Sequence, residues 1–324
     1  MARFLFAALA TLAAVANATK KPNILFILTD DQDWEMQSLQ HMPLLQKYLI
    51  NDGTLFDRHY CTVSVCCPSR VNLWTGRAAH NTNVTDLFPP YGGYPKFVRE
   101  GLNEDWLPLW LQKAGYNTYY TGKLFNAHTI DNYGSPYVSG FNQSDFLLDP
   151  YTYEYFNGHM TRNGEPPVSY AGKYSPDVVA EKAYGFLDEA TLHDEPFFVA
   201  VAPVAPHSNV KLSDPENGVQ MDTAYYAERH AHLFKEYKIP RTPNFNPDKP
   251  SGVGWVRKLP QLNDTVIAYN DEFQRSRLRA LQSVDEMVEE LVKKLAAKGI
   301  LDNTYIFYTT DNVSRTAIYR ASDN

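Results

Sequence analysis

Asn23-Ile24-Leu25-Phe26-Ile27-Leu28-Thr29-Asp30-Asp31-Gln32 is an unbroken apolar run that stops at two adjacent carboxylates. Its length and lack of alternation predict a strand buried on both faces, as in a parallel sheet. Neighbouring carboxylates at the end of such a strand repel each other, so something positive belongs between them, and a cation is the economical answer. A lone Asp-Asp pair is also common in solvated turns, so the reading depends on what else the chain brings to the same place.

The pattern recurs three times. Asn117-Thr118-Tyr119-Tyr120 reads as a strand running into Thr121-Gly122-Lys123. Pro196 to Val201 reads as a buried strand leading into Ala202-Pro203-Val204-Ala205-Pro206-His207, and Tyr305 to Thr310 as a strand ending in Asp311-Asn312. Helical spacing fills the intervals: Leu44 to Ile50, Trp106 to Lys113 stopped at Gly115, Pro176 to Ala190, and Phe273 to Lys298. The last carries an apolar stripe from Leu278 to Leu295 and stops at Gly299. Such alternation predicts an α/β fold, whose ligands sit beyond the carboxyl ends of its parallel strands.

Singly, Lys123 would more often be a surface charge and His207 a structural histidine. Four polar strand ends together predict a site. Asp30, Asp31, Asp311 and Asn312 offer only hard oxygen ligands, a set suited to Ca²⁺, with Mg²⁺ the second choice for a tighter, wetter site. Phe125 to Tyr174, rich in Tyr, Asn, Gly and Pro, reads as a long insertion over one face, where aromatic rings could stack on an aryl group or a sugar. Ser208 to Leu262 is irregular and does not read as a separate domain.

A second stretch is Ser64-Val65-Cys66-Cys67-Pro68-Ser69-Arg70-Val71-Asn72-Leu73-Trp74-Thr75-Gly76. Pro68 suits the first turn of a helix, which predicts that the chain enters one just after Cys66. A side chain there faces free N–H groups and the positive end of the helix dipole. Arg70 comes round one turn later on the same face, with a planar fork suited to a tetrahedral oxyanion. From the residues alone, Cys-Cys-Pro-Ser-Arg is a reactive thiol, half of a disulfide, or one corner of a metal site.

The 324-residue chain is long enough for a sizeable core, and its 44% hydrophobic and 21% charged content is that of a globular protein. A formal charge of −7 with no basic run argues against a nucleic-acid partner. Residues 1–18 carry Arg3, an apolar run from Phe4 to Ala16, and Ala16-Asn17-Ala18, the pattern of a secretory signal peptide too short to span a bilayer. No later segment is apolar enough for membrane insertion, which predicts a secreted protein or one held in a vacuolar or lysosomal compartment. Sequons at Asn83, Asn142 and Asn263 fit that route. Three cysteines, Cys61, Cys66 and Cys67, leave one unpaired or modified.

With its flanks, the Cys66 stretch resembles the sulfatase signature Cys-x-Pro-Ser-Arg; Ser64, Val65, Cys66, Pro68, Ser69, Arg70, Leu73, Trp74, Thr75 and Gly76 all fit it. The resemblance implies an alkaline-phosphatase-like α/β sandwich with a mostly parallel central sheet flanked by helices. It also implies a secreted arylsulfatase, in which a formylglycine-generating enzyme converts Cys66 to formylglycine and residue 66 joins Asp30, Asp31, Asp311 and Asn312 around Ca²⁺. Arg70 would hold the hydrated formylglycine, Lys123 would bind sulfate or formylglycine oxygen, and His207 would face the sulfate and the leaving oxygen of a small-molecule or glycan ester. Cys61 and Cys67 would then be left as a pair or as free thiols.

Gly122-Lys123-Leu124-Phe125-Asn126 lacks the histidine that commonly follows the family's lysine by two residues, and looks more like the N-acetylglucosamine-6-sulfatase branch and fungal arylsulfatases. The expected organisation is a signal peptide over 1–18, an incomplete catalytic domain over 19–312 and a tail over 313–324 unlike the family, with C-terminal strands and a small domain missing. Two alternatives stay open: a phosphate or phosphonate ester hydrolase of the same superfamily, and a non-catalytic secreted fragment that keeps the cation site and binds sulfated glycans.

Overall fold

Residues 20–214 and 216–312 are described by the structure, a computed structural model. The leader expected over 1–18 and the tail over 313–324 lie outside the described residues. The main sheet contains β1 (Asn23–Thr29), β2 (Asn117–Lys123), β3 (Gln143–Leu147), β4 (His159–Arg162), β5 (Val168–Ser169) and β6 (Phe197–Ala202). A separate hairpin, β7 (Asn209–Lys211) with β8 (Gln220–Asp222), precedes the last strand of the main sheet, β9 (Thr304–Thr310). The order across the sheet is β5-β4-β3-β2-β6-β1-β9. Strands β3, β2, β6, β1 and β9 are mutually parallel, and β4 and β5 add an antiparallel edge. The ends of β2, β6, β1 and β9 therefore open on one rim, which makes the sheet a device for gathering their polar followers.

Alternation along each strand divides the core into two layers. Leu28, Tyr120, Phe198 and Ala200 face α1 (Cys66–Thr75), α2 (Gly93–Arg99) and α3 (Leu107–Lys113), where Val71, Trp74 and Phe97 are fully buried. Leu25, Ile27, Tyr119, Val199 and Val201 face α4 (Ser175–Ala190) and α5 (Asp264–Ala297) through Val179, Phe186, Leu281, Val288 and Leu291. Each fully buried Val, Leu, Ile or Phe among them contributes about 1.5–3 kcal/mol on leaving water. Among the described residues no helix is long and apolar enough to cross a membrane.

Two sequence expectations change. Helix α5 starts at Asp264, well before Phe273, because the Asn263 side chain accepts the Val266 N–H at 3.0 Å and caps it. Its first turns are mostly exposed, so they carry no apolar stripe to read. Within Phe125 to Tyr174, β3, β4 and β5 extend the sheet in place of a simple overlay. These strands are too short for their period to stand out among the Tyr and Gly residues around them. Cys61 and Cys67 are free thiols, with Cys67 packed in the core against α2 and β2 residues.

Gly122, the residue before Lys123, has φ of 102°, and a Cβ there would lie 2.1 Å from the Ala202 carbonyl oxygen on β6. At Gly76, which ends α1 with φ of 65°, an added Cβ would meet nothing within 4 Å. Replacing Gly76 with Ala should cost about 1 kcal/mol from backbone conformation alone. Gly122→Ala should cost more than about 2 kcal/mol, because β2 and β6 must also separate. Urea midpoints of the two variants provide the comparison; equal losses would contradict the close approach at Gly122.

Candidate active site

Helix α1 begins at Cys66, with Val65 extended before it and Pro68 inside its first turn. The side chain is buried and stands against the ends of β1 and β9: Sγ lies 3.5 Å from Asp30 Oδ1 and 3.9 Å from Asp31 Oδ1, and Asn312 Nδ2 donates to it at 3.6 Å. A helix start and two strand ends thus converge on one sulfur atom. Asp31 reaches its place through a left-handed backbone, φ 62°, uncommon for a residue other than glycine, and its N–H donates to Asp311 Oδ1 at 3.1 Å.

Arg70, wholly buried, stands one turn into α1 and joins three strand ends. Its Nε donates to Asp311 Oδ2 at 2.7 Å, its Nη1 to the Lys123 carbonyl at 2.6 Å, and its Nη2 lies 3.5 Å from Asp30 Oδ2. The Ser69 hydroxyl donates to the Asp311 carbonyl oxygen. Lys123, also dry, donates from Nζ to Asp30 Oδ2 at 2.5 Å and lies 3.9 Å from Asp311 Oδ2. His207 Nδ1 lies 2.8 Å from the Ser208 carbonyl, which can only accept, so Nδ1 carries the proton and Nε2 is the free nitrogen. That Nε2 is 3.4 Å from Asp31 Oδ2.

One oxygen, nitrogen or sulfur from each of Asp30, Asp31, Cys66 and His207 falls within 4.8 Å of the others. His207, placed by the resemblance opposite the sulfate, therefore also stands among the groups able to hold an ion. The Asp311 carboxylate is ringed by donors, from Arg70, the Asp31 and Asn312 backbone N–H groups, and the Asn312 amide. Phe125, where the commoner family pattern has histidine, is in the core, 4.6 Å from the Phe97 ring.

The charges explain why the cluster suits a divalent ion. Burial alone would raise Asp30, but Lys123, Arg70 and His207 outweigh it and hold the carboxyl well below the usual range. At Asp311, burial and the charge of Asp30 win over Arg70 and Lys123 and push the carboxyl up to about 6. Three carboxylates with two fixed cations leave the rim short of positive charge. Its hard oxygens fit Ca²⁺ or Mg²⁺.

Arg277 is a functional support that sequence reasoning missed. From α5 its Nη2 donates to the Asp31 carbonyl at 2.5 Å and its Nη1 to the Pro206 carbonyl at 3.2 Å, fixing the two segments that carry Asp31 and His207. Asp33 Oδ1 at 3.3 Å balances its charge. The signal was present: residues 277, 281, 284 and 288 follow helical spacing, so an arginine sits in line with the buried stripe of α5.

The fold is that of the alkaline-phosphatase-like class, and solved structures of low identity agree in architecture. The protein BT4656, solved in complex with its substrate D-glucosamine-2-N,6-O-disulfate, superposes with a TM-score of 0.70 at 21% identity, covering 90% of this chain and 65% of that one. The sulfatase family model matches residues 22–321, and this chain belongs to the sulfatase family. It is similar to an arylsulfatase of Chlamydomonas reinhardtii, 39% identical over 99% of this chain and 51% of the relative. It is also similar to the N-acetylglucosamine-6-sulfatase of Homo sapiens, 31% identical over 92% of this chain and 52% of the relative. The chain spans about half the length of these curated relatives. The family generally uses formylglycine and a divalent cation.

A pH dependence follows from Asp311. A carboxyl raised in the folded state contributes stability that is complete below its unfolded value of about 4 and is lost as pH rises through about 6. Asp30, lowered, acts in the opposite sense and only below about pH 4. Without divalent ions the melting temperature should fall between about pH 5 and about pH 7. Millimolar Ca²⁺ should raise it more at the higher pH, because proton and cation compete for the same oxygens. Equal shifts at both pH values would place the binding elsewhere.

Proposed function

We propose that this chain carries the catalytic site of a secreted arylsulfatase, which hydrolyses aryl sulfate esters with residue 66 as nucleophile after its conversion to formylglycine. The observation that supports this most is the meeting of Cys66, Arg70, Lys123 and His207 with Asp30, Asp31, Asp311 and Asn312 at one rim of the sheet. As a thiol, Cys66 would be a poor nucleophile. Burial, reinforced by Asp30, Asp311 and Asp31 against the pull of Lys123, pushes its pKa well above the ordinary thiol value.

Asp30, Asp31, Asp311 and Asn312 would hold the cation, with residue 66 completing the shell and Ca²⁺ preferred to Mg²⁺. When present, formylglycine supplies a hydroxyl nucleophile for sulfur and the cation polarises the sulfate oxygens. The chain's own residues supply the rest. Arg70, locked to Asp311 and to the Lys123 carbonyl, would hold the hydrated formylglycine and set positive charge beside its oxygens. Lys123 offsets charge that gathers on the sulfate oxygens, in a dry setting where that effect is strong. His207, with its Nδ1–H committed to the Ser208 carbonyl, turns Nε2 toward the site, where the imidazolium form would give its Nε2 proton to the leaving oxygen.

Secretion rests on the leader-like residues 1–18, and the three sequon asparagines, Asn83, Asn142 and Asn263, are exposed as glycosylation requires. A formylglycine-generating enzyme is the implied maturation partner. A sugar 6-sulfate as the natural ester is a second reading, favoured by Asn126, which is buried beside the site where the commoner pattern has a histidine nearby.

Protein coexpressed with a formylglycine-generating enzyme should contain an aldehyde in place of the Cys66 thiol in its tryptic peptide 59–70. It should turn over an aryl sulfate in preference to an aryl phosphate, and Cys66→Ala should lose at least about 1,000-fold in kcat/KM. Preference for phosphate would favour the phosphatase alternative. Fully converted protein that cleaves neither ester would contradict the enzyme reading and favour the glycan-binding fragment.

A further inference from the structure

We infer that Tyr153 is a positioning residue whose ring sets the separation and orientation of Lys123 and His207. The inference rests on the hydrolase reading above. Tyr153 lies on the segment between β3 and β4 and is 5% exposed. Its ring centroid is 4.3 Å from that of His207, with the planes tilted by 32°. The Lys123 ammonium stands over the same ring, 4.6 Å from the centroid. One aromatic group thus touches both side chains that the mechanism needs, and neither of them touches it by accident of surface exposure, because Lys123 is dry and His207 nearly so.

The ring is itself fixed from both sides. Asn126, three residues beyond Lys123, donates from Nδ2 to the Tyr153 hydroxyl oxygen at 2.7 Å. Val210, three residues beyond His207, donates its N–H to the Tyr153 carbonyl at 3.2 Å. The side chain is therefore tied to the segment following β2 and the backbone to the segment following β6. Tyr155 complements it by donating its hydroxyl to the His207 carbonyl at 2.7 Å, which fixes the main chain where Tyr153 fixes the ring.

Lysine is a flexible stem, and Asp30 and Asp311 restrain the tip of Lys123 on one side only. A ring whose π-face meets the ammonium and whose plane lies tilted against the imidazole confines both groups while adding no acceptor that would compete with substrate oxygens. The part of the molecule that performs this is the ring; the hydroxyl serves to hold it in place.

Three variants test the inference on the aryl sulfate used above: Tyr153→Phe keeps the ring, Tyr153→Leu removes it, and Tyr153→Met fills the space without a π-face should the leucine variant fold poorly. Tyr153→Phe should retain kcat within about threefold. Tyr153→Leu and Tyr153→Met should lose about 10- to 100-fold in kcat with KM changed less than about threefold. The rise in melting temperature on adding Ca²⁺ should be the same in all of them. Crystal structures give a readout that does not need activity: the Lys123 and His207 rotamers should persist in Tyr153→Phe and change in Tyr153→Leu or Tyr153→Met. Unchanged rotamers in the ringless variants, or full kcat in them, would overturn the inference. A wild-type protein without sulfatase activity would sink the hydrolase reading, while the rotamers would still decide whether the ring positions these two groups.

Discussion

Asp30, Asp311, Arg70 and Lys123 form a buried quartet of alternating charge on which the arrangement of the rim depends. Asp30 and Asp311 directly follow β1 and β9, Arg70 lies on α1 and Lys123 ends β2, so their attraction draws four chain segments to one point. At an effective dielectric constant near 20, a pair at about 4 Å attracts by about 4 kcal/mol. The cost of removing water from such groups is of similar size, so the quartet's role is to specify geometry more than to add net stability. Losing one member is another matter, since an unpaired buried charge costs about 3–5 kcal/mol.

The quartet is neutral as a set, and Asp31 beside it is not matched. This one surplus carboxylate, with Cys66 and His207 around it, turns a structural ion cluster into a place for a cation. Burial, reinforced by the neighbouring carboxylates, pushes the Cys66 thiol well above its ordinary pKa, against the pull of the helix start toward a thiolate. On the proposed reading, the site serves oxygen chemistry at residue 66 and a negative substrate met by Arg70, Lys123 and His207. Arg277 and Tyr153, neither of which touches the cation oxygens, hold the surrounding segments to this geometry from the α5 side and from the loop after β3.

Much of this was legible because parallel sheets write their function at strand ends. The runs before Asp30 and His207 are apolar on both faces, those before Lys123 and Asp311 mix aromatic residues with Thr, and each leads to a polar group that has no reason to be in a core. The Cys66 stretch supplied a residue order specific enough to name a family. What stayed hidden depends on contacts far apart in sequence. Tyr153 reads as one more tyrosine among many, and only folding shows that it lies between Lys123 and His207. Arg277 was masked by the strong stripe around it. Strands β3, β4 and β5 escaped because five, four and two residues are too few to display a period.

The central claim is that the ends of β1 and β9 and the start of α1 hold one hard divalent ion. Anomalous diffraction from crystals grown with calcium tests it most directly. The account predicts a single strong peak within coordinating distance of oxygens from Asp30 and Asp31 and next to residue 66. A saturated crystal with no peak there, or with its peak beyond the reach of both aspartates, would contradict it.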